Sequence, residues 1–364
     1  MIRGLAALAV LIGHARAFVF QDYGVGGGLL TAPFYMLTGL GHQAVVIFFA
    51  LSGFLVGGSA LREIHRGSWK AADYSIHRFT RLWTALIPAL IATALLDMIG
   101  RDLLGLRGYA GEYWTLVSAG PPADAQISLT PATLLGNIAF LQTILVPVYG
   151  SDGPLWSLAN EFWYYFLIPF GWLALRGGVA LGWRVGAGIF AVGAGLLLPK
   201  VLVAMGLIWV VGALAFLLVE RVNALAPRRR LLLLALVLLG LAAAGAYSMA
   251  RPGLASDLAL GLFCAMLLPC LAALPNIGGG YGRVAFGVSE ISFTLYVVHF
   301  PLVALLWFAL IAPLQYPVGL TGIAVWLGLI AAALIYATAM WWLFERNTGT
   351  VRRWTRARLL GTSR

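Results

Sequence analysis

Two ionisable side chains stand out in the first apolar segment of the chain, residues 1–20. Arg3 lies near its beginning and His14 lies eleven positions further on, inside the apolar run. This spacing corresponds to about three helical turns, so both side chains share one face and lie roughly 16 Å apart along the axis. An ionisable group deep in an apolar helix marks either a functional site or a pairing within a helix bundle. We favour a functional site at His14.

A third ionisable group, Glu161, lies six residues inside another apolar segment, 155–175. If the two segments enter from opposite sides, Glu161 lies about 9 Å and His14 about 13 Å below the outer edge of a hydrocarbon core of roughly 30 Å. At a shared depth, the carboxylate would hold the tautomer of the imidazole and raise its basicity, as a general base acting on a hydroxyl requires. A structural ion pair between helices fits the spacing equally well.

A basic pair, Arg78 and Arg81, precedes the third apolar segment. The two residues are three apart, so they lie on one helical face and are suited to binding phosphate groups. Arginines at this place are also common as anchors on the cytoplasmic side of a membrane. The pair alone is therefore weak support for a binding site.

A polar stripe runs along a late apolar segment. Ser292, Tyr296 and His299 stand at positions i, i+4 and i+7, which places them on one face of a helix. Polar groups in an apolar span are expected to face the bundle interior or a cavity.

The composition indicates an integral membrane protein. Hydrophobic residues make up 61% of the 364 residues and charged residues 10%, with a mean hydropathy of +0.92. One soluble core could not cover so many apolar side chains. The net charge of +11 comes from arginines between apolar runs, which is the positive-inside pattern and argues against nucleic-acid binding. Cys264 and Cys270 lie without nearby histidines, so neither a metal site nor a disulfide is predicted.

The apolar pattern predicts an all-α helix bundle with ten membrane spans and both termini in the cytoplasm. This orientation places most of the 24 lysine and arginine residues inside, provided that the stretch 131–148 is interfacial or re-entrant and does not cross. We divide the chain into a transmembrane domain, residues 1–345, and a basic cytoplasmic tail, residues 346–364. The spans are predicted at 1–20, 42–60, 82–99, 155–175, 185–199, 201–219, 231–250, 258–274, 288–311 and 318–344.

Three polar features outside these motifs have simpler interpretations. The polar and aromatic stretch 100–130 is predicted to be the largest external loop, where either an acceptor binds or an interfacial aromatic belt forms. Asp97 is expected to reach the membrane interface from the end of its helix. Glu345 is expected to pair structurally with a cytoplasmic arginine.

Six motifs occur along the chain in this order: RGLAALAVLIGH at 3–14, FFALSGFL at 48–55, HRFTRLWTALIP at 77–88, WSLANEFWYY at 156–165, ISFTLYVVHFPL at 291–302 and FER at 344–346. Together they resemble the acyltransferase-3 family of integral membrane O-acyltransferases. The resemblance covers nearly the whole chain, and the ordered set is much more specific than any one motif. Ala159 and Asn160 replace the Ser–Val common in the family, and the last motif lacks a proline often found there.

The resemblance implies transfer of an acyl group, acetyl being the first expectation, from cytoplasmic acyl-coenzyme A to a hydroxyl of a carbohydrate-type acceptor. It implies acyl-coenzyme A as a co-substrate, no permanently bound cofactor, and the branch of the family without an SGNH-type esterase domain. A bacterial-type inner membrane, with its lipids around the protein, is the expected location. By matching motif positions, the family assigns catalytic roles to His14 and Glu161, donor binding to Arg3, Arg78 and Arg81, and supporting or oxyanion-stabilising roles to Ser292, Tyr296 and His299.

A transporter or flippase is the main alternative. In that case His14 and Glu161 would form a proton relay, and a glycan or lipid-linked substrate would cross the membrane without covalent change. Such a protein would not consume acyl-coenzyme A. The sequence does not indicate an oligomeric state.

Overall fold

The structure, a computed structural model, describes residues 1–25, 28–117, 127–274 and 280–361, with side chains in the last range from residue 286 onward. Part of the predicted external loop, residues 118–126, and the side chain of Arg283 therefore lie outside the described residues. Within these ranges the chain is helical and has only isolated β-bridges. The α-helices are α1 Ile2–Val19, α2 Ala32–Thr38, α3 Gly41–Ser52, α4 Gly58–Arg66, α5 Ala71–Met98, α6 Pro131–Ile138, α7 Leu155–Leu175, α8 Leu181–Leu197, α9 Lys200–Phe216, α10 Val219–Asn223, α11 Pro227–Ala250, α12 Leu254–Ala272, α13 Gly280–Leu310, α14 Leu320–Leu343 and α15 Thr348–Leu360.

The described helices confirm a polytopic all-α membrane protein. Seven helical segments in the described ranges are long and apolar enough to cross a membrane, and α8 and α9 are shorter apolar helices. The predicted span 155–175 coincides with α7, which has 21 residues. Each of the ten predicted spans thus corresponds to a helix of the structure. The side of the membrane that each terminus faces stays a prediction.

The segment 131–148 does not form a spanning helix. Its helix α6 has only eight residues, about 12 Å of rise, against a hydrocarbon core of about 30 Å. Thr130 caps α6 by accepting a hydrogen bond from the Thr133 backbone N–H, and Pro131 occupies the first helical position. The rest of the segment consists of turns and one isolated β-bridge, as expected of an interfacial or re-entrant piece that does not cross.

A proline sets the boundary between α8 and α9. Leu198 adopts an extended backbone conformation, with φ −79° and ψ 148°, as residues before a proline generally do. Because Pro199 has no backbone N–H to continue α8, that helix ends at Leu197 and α9 begins directly afterwards. The structure therefore shifts both predicted spans by a few residues and leaves each with 17 helical residues.

The helices form two compact units, each defined by the contacts among its own residues. The first consists of Met1–His42, Ala72–Ala159 and Gly282–Arg364, and the second of Gln43–Ala71 and Asn160–Tyr281.

In the first unit, α1 is a central element. The indole N–H of Trp326 donates to the Ile12 carbonyl, 3.3 Å away, and attaches α14 to the middle of α1. Beyond the end of α1, Tyr316 donates its N–H to the Val19 carbonyl at 2.8 Å, and its own carbonyl accepts from Gln21 at 3.1 Å. These contacts fix the position of the helix that carries Arg3 and His14.

In the second unit, small residues allow α9 to lie very close to the end of α3. A Cβ atom on Gly53 would stand 2.0 Å from the carbonyl oxygen of Trp209, and one on Gly212 would stand 2.2 Å from that of Ala50. Close backbone approach through glycine is typical of packed membrane helices. It brings the Trp209 side chain to the end of α3, where Ser52 lies.

Asp97 is buried and paired within the protein, so the expectation of a side chain that reaches out from the end of its helix was wrong. The side chain is 1% exposed, and its carboxylate accepts hydrogen bonds from the Ser151 N–H at 2.7 Å and the Ser151 hydroxyl at 2.6 Å. The turn before α7 therefore folds back onto the end of α5. The sequence did not predict this because the turn is distant along the chain.

The same turn buries a second carboxyl group. Asp152 is completely buried, and neither of its carboxylate oxygens has a hydrogen-bond partner among the residues that the structure describes. Burial and, to a smaller extent, the charge of nearby Asp97 raise the pKa of Asp152 well above its usual value.

We expect the free energy of unfolding to depend on Asp152. The pKa of the Asp152 carboxyl group is higher in the folded state than in the unfolded state. The group therefore makes its full contribution to the free energy of unfolding below its unfolded-state pKa, and this contribution is lost as the pH rises toward its folded-state pKa. The loss is about 1.4 kcal/mol per pH unit between the two pKa values. In detergent, the melting temperature of Asp152→Asn should therefore fall less between pH 5 and pH 8 than that of the wild type. A variant with the same pH dependence as the wild type would contradict this explanation.

Candidate active site

Two histidines from distant parts of the chain meet in the first unit. His14 of α1 and His299 of α13 approach to 2.8 Å between Nδ1 of the first and Nε2 of the second. The ring planes are 11° apart and the centroids 5.1 Å apart. Such a short nitrogen–nitrogen distance between nearly parallel rings requires an edge-to-edge arrangement, because stacked faces would be further apart. The geometry is that of a hydrogen bond in the ring plane.

The surroundings of His299 determine which nitrogen donates in this pair. Its Nδ1 lies 2.9 Å from the Leu295 carbonyl oxygen and 3.0 Å from that of Tyr296. Carbonyl oxygens only accept, so Nδ1 of His299 carries the hydrogen, and in the neutral ring Nε2 carries a lone pair. His14 must then donate from Nδ1, which leaves a lone pair on its own Nε2. His299 is 1% exposed, whereas His14 is partly accessible.

Arg3 is fixed to the same helix as His299. Its Nε donates to the Ser292 hydroxyl at 2.9 Å, and its Nη2 donates to the Ser289 carbonyl at 2.7 Å. The Ser292 hydroxyl in turn donates to the Ser289 carbonyl at 2.7 Å. Ser292 thus orients Arg3, and its proton is already donated to the backbone.

Tyr296 contacts the beginning of α7. Its hydroxyl lies 2.5 Å from the Ser157 hydroxyl and donates to the Pro154 carbonyl at 3.1 Å. All three residues of the polar stripe, Ser292, Tyr296 and His299, are buried, as predicted for groups that face the bundle interior. A role for Ser292 or Tyr296 as an oxyanion donor stays a prediction.

Glu161 belongs to the second unit, where it is the acceptor in a small hydrogen-bonded cluster. Its Oε1 accepts from the Ser52 hydroxyl at 2.8 Å and from the hydroxyl of Tyr165, one helical turn further along α7. Ser52 also accepts from the indole N–H of Trp209 at 3.2 Å. The predicted pairing of Glu161 with His14 stays a prediction.

The basic pair on α5 has two different environments. The Arg81 guanidinium lies 2.5 Å from Glu345, so the expected pairing of Glu345 with an arginine is present. Glu345 is 2% exposed, and its other oxygen accepts from the Thr294 N–H at 3.0 Å. The Arg78 guanidinium lies over the Tyr74 ring, 5.5 Å from the centroid. Donor binding by either arginine stays a prediction.

Several of these partners were not predicted. The sequence indicated that His14 and His299 lie in apolar helices, but the partner chosen for His14 was Glu161 rather than His299. Tyr165 could have been identified from its i+4 spacing to Glu161. Ser52 and Ser157 lie inside two of the family motifs but were given no role, and Trp209 lies outside all of them. Their roles depend on contacts between distant segments, which the sequence does not indicate.

The fold and the histidine pair define a polytopic membrane protein with a candidate acid–base site. The chain belongs to the acyltransferase-3 family, since the family model described as an acyltransferase domain matches residues 1–342. No solved structure matches the chain.

Three curated relatives are similar over part of the chain. The acyltransferase MdmB of Streptomyces mycarofaciens is 29% identical over 48% of this chain and 38% of its own length. The O-acetyl transferase of Shigella phage Sf6 is 28% identical over 49% of this chain and 46% of its own. Protein 2 in the picA locus of Rhizobium radiobacter is 28% identical over 44% of this chain and 73% of its own length. The matched region thus covers less than half the length of the first two relatives.

Arg81 should be important for folding through Glu345. We expect Arg81→Gln to lower the free energy of unfolding by about 2 kcal/mol, because it leaves a buried carboxylate without its cation. Combining it with Glu345→Gln should restore part of that loss, since no buried charge remains. Thermal unfolding in detergent measures both variants. Equal stability of the wild type and Arg81→Gln would contradict the structural role. If only the Michaelis constant for acetyl-coenzyme A then changed, Arg81 would act in donor binding.

Proposed function

We propose that this protein is a membrane O-acyltransferase that moves an acyl group, in the first instance acetyl, from acyl-coenzyme A to a hydroxyl of a carbohydrate-type acceptor. Membership of the acyltransferase-3 family supports this assignment, as does the similarity to a protein named O-acetyl transferase. The observation that carries the proposal is the histidine pair, which leaves a lone pair on Nε2 of the partly accessible His14.

The lone pair suits His14 to the role of general base. Its Nε2 removes the proton from the acceptor hydroxyl while that oxygen attacks the carbonyl carbon of the thioester. The carbon–sulfur bond then breaks, and the leaving thiolate takes up the proton that His14 removed, which regenerates the base. The imidazolium formed on His14 keeps its Nδ1–H bond to His299, which stabilises the positive charge. Attack by Nε2 itself, through an acyl-histidine, would use the same lone pair.

The donor would be held by arginines. Coenzyme A carries several phosphate groups, and the planar guanidinium of arginine matches phosphate geometry. Arg3 is fixed in position by Ser292 and shares a helix with His14, so phosphates held there lie about three turns from the base. Arg78 and Arg81 are assigned to the same phosphates, on the cytoplasmic side of a bacterial inner membrane. By its position in the family motif, Glu161 is assigned a catalytic role.

Removal of the proposed base should strongly reduce acyl transfer. We expect His14→Ala to lower acceptor-dependent thiol release from acetyl-coenzyme A at least a hundredfold, the usual contribution of a general base. The assay uses membranes containing the protein, with lysate glycans as acceptors and mass spectrometry of the acylated product. His65→Ala, at an exposed histidine, is the matched control. Full transfer by His14→Ala would refute the assignment, and no thiol release by the wild type with several donors would favour transport.

His299 should act as a positioning residue that fixes the tautomer of His14. His299→Leu removes the acceptor for the Nδ1–H of His14, so we expect kcat to fall about a hundredfold. His299→Gln can present its amide oxygen to the same N–H and should retain much more activity. The Michaelis constant for acetyl-coenzyme A should change little in either variant. If the two variants lost activity equally, or lost donor affinity instead, the positioning role would be excluded.

A further inference from the structure

A long apolar groove lies between α5 and the C-terminal helix α15 in the first unit. It encloses about 760 Å³ and is lined on one side by α5 from Ala72 to Pro88 and on the other by residues from Leu343 to Leu360. The sixteen helical steps from Ala72 to Pro88 extend about 24 Å, which is more than half of the thickness of a hydrocarbon core of about 30 Å. The groove is therefore long enough for the acyl chain of a membrane lipid.

The groove is built by antiparallel packing of α15 on the first half of α5. As α15 proceeds, its partners lie successively nearer the beginning of α5, so the two helices run side by side in opposite directions. Three polar contacts hold them together: Thr348 with Thr84 at 2.8 Å, Arg352 with His77 at 3.4 Å, and Arg356 with Asp73 at 3.0 Å.

The charge of α15 indicates which kind of lipid fits. The helix contains four arginines and no acidic residue, and it begins only five residues after the last spanning helix. Val351, Thr355 and Leu359 line the groove. Viewed down the axis of α15, Arg352 and Arg358 each lie about 60° around the helix from the centre of the row formed by these three residues, on opposite sides of it. Arg353 lies on the far face of the helix. Cations thus flank the groove along α15.

The groove differs in location from the predicted donor site. Ile76, Thr80 and Trp83 line it at spacings of four and three, so they share one face of α5. Arg78 stands two positions from both Ile76 and Thr80 and therefore lies on the other side of the helix. An acyl chain in the groove would lie on the face of α5 away from Arg78.

We propose that this groove binds an anionic phospholipid, with one acyl chain along α5 and the phosphate between Arg352 and Arg358. Helix α15 has the features of a helix at a membrane surface, with arginines beside exposed Trp354 and Leu359. A bound lipid covers the apolar walls of the groove, and its phosphate offsets the positive charge of α15. The site requires no contribution from the reaction proposed above.

The test is lipid binding to the full-length protein purified in detergent, measured by native mass spectrometry. Phosphatidylglycerol and phosphatidylcholine with identical chains serve as probes. We expect tighter binding of phosphatidylglycerol. Arg358→Gln should weaken that binding about fivefold, because one basic residue near the phosphate is lost, and should weaken phosphatidylcholine binding less, because the choline cation already offsets the phosphate charge of that lipid. Arg353→Gln, on the far face of α15, is the matched control.

A second pair of variants tests the groove itself. Ala72→Trp places a large side chain in it and should reduce the binding of both lipids, whereas Ala357→Trp, at an exposed alanine on the far face of α15, should not. Equal binding of the two lipids by the wild type would overturn the proposal. The proposal would also be overturned if Ala72→Trp bound both lipids as tightly as the wild type. Displacement of the lipid by palmitoyl-coenzyme A at equal concentration would overturn it as well, because the groove would then be a channel for the acyl donor.

Discussion

The hydrogen bond between His14 and His299 is the interaction on which the candidate site depends. It connects α1 to α13 and assigns a hydrogen to one nitrogen of each ring. The direction is determined by two backbone carbonyls one turn before His299 on α13, which accept from its Nδ1. Helix geometry alone thus specifies the protonation pattern of the pair, with no carboxylate needed to orient either ring.

The same two helices also orient Arg3. Ser292 and the Ser289 carbonyl bind its guanidinium on the side of α13 that His299 occupies two turns later. An imidazole and a guanidinium that are held by the same two helices keep a fixed separation. In the proposed reaction, whose donor has its phosphates and thioester far apart, a fixed separation of this kind would determine where the reacting carbon lies.

Much of the fold could be predicted from the sequence, because membrane spans are read from apolar length and from the distribution of basic residues. The polar stripe of α13 was predicted to be buried, since its three members share a helical face. The partners of these residues could not be predicted in the same way. His299 is far from His14 along the chain, and the sequence equally allowed Glu161. Asp97 was misread for a related reason: its partner Ser151 belongs to a turn with no regular pattern.

The separation of 285 positions between His14 and His299 along the chain has a consequence for biosynthesis. The first helix enters the membrane long before its partner has been translated. At roughly 5–20 residues per second, synthesis of the intervening chain takes on the order of a quarter of a minute to a minute. During that interval a histidine resides in the bilayer without the acceptor that later fixes its hydrogen. Insertion of α1 must therefore tolerate a polar ring whose orientation is decided only when nearly all of the chain has been made.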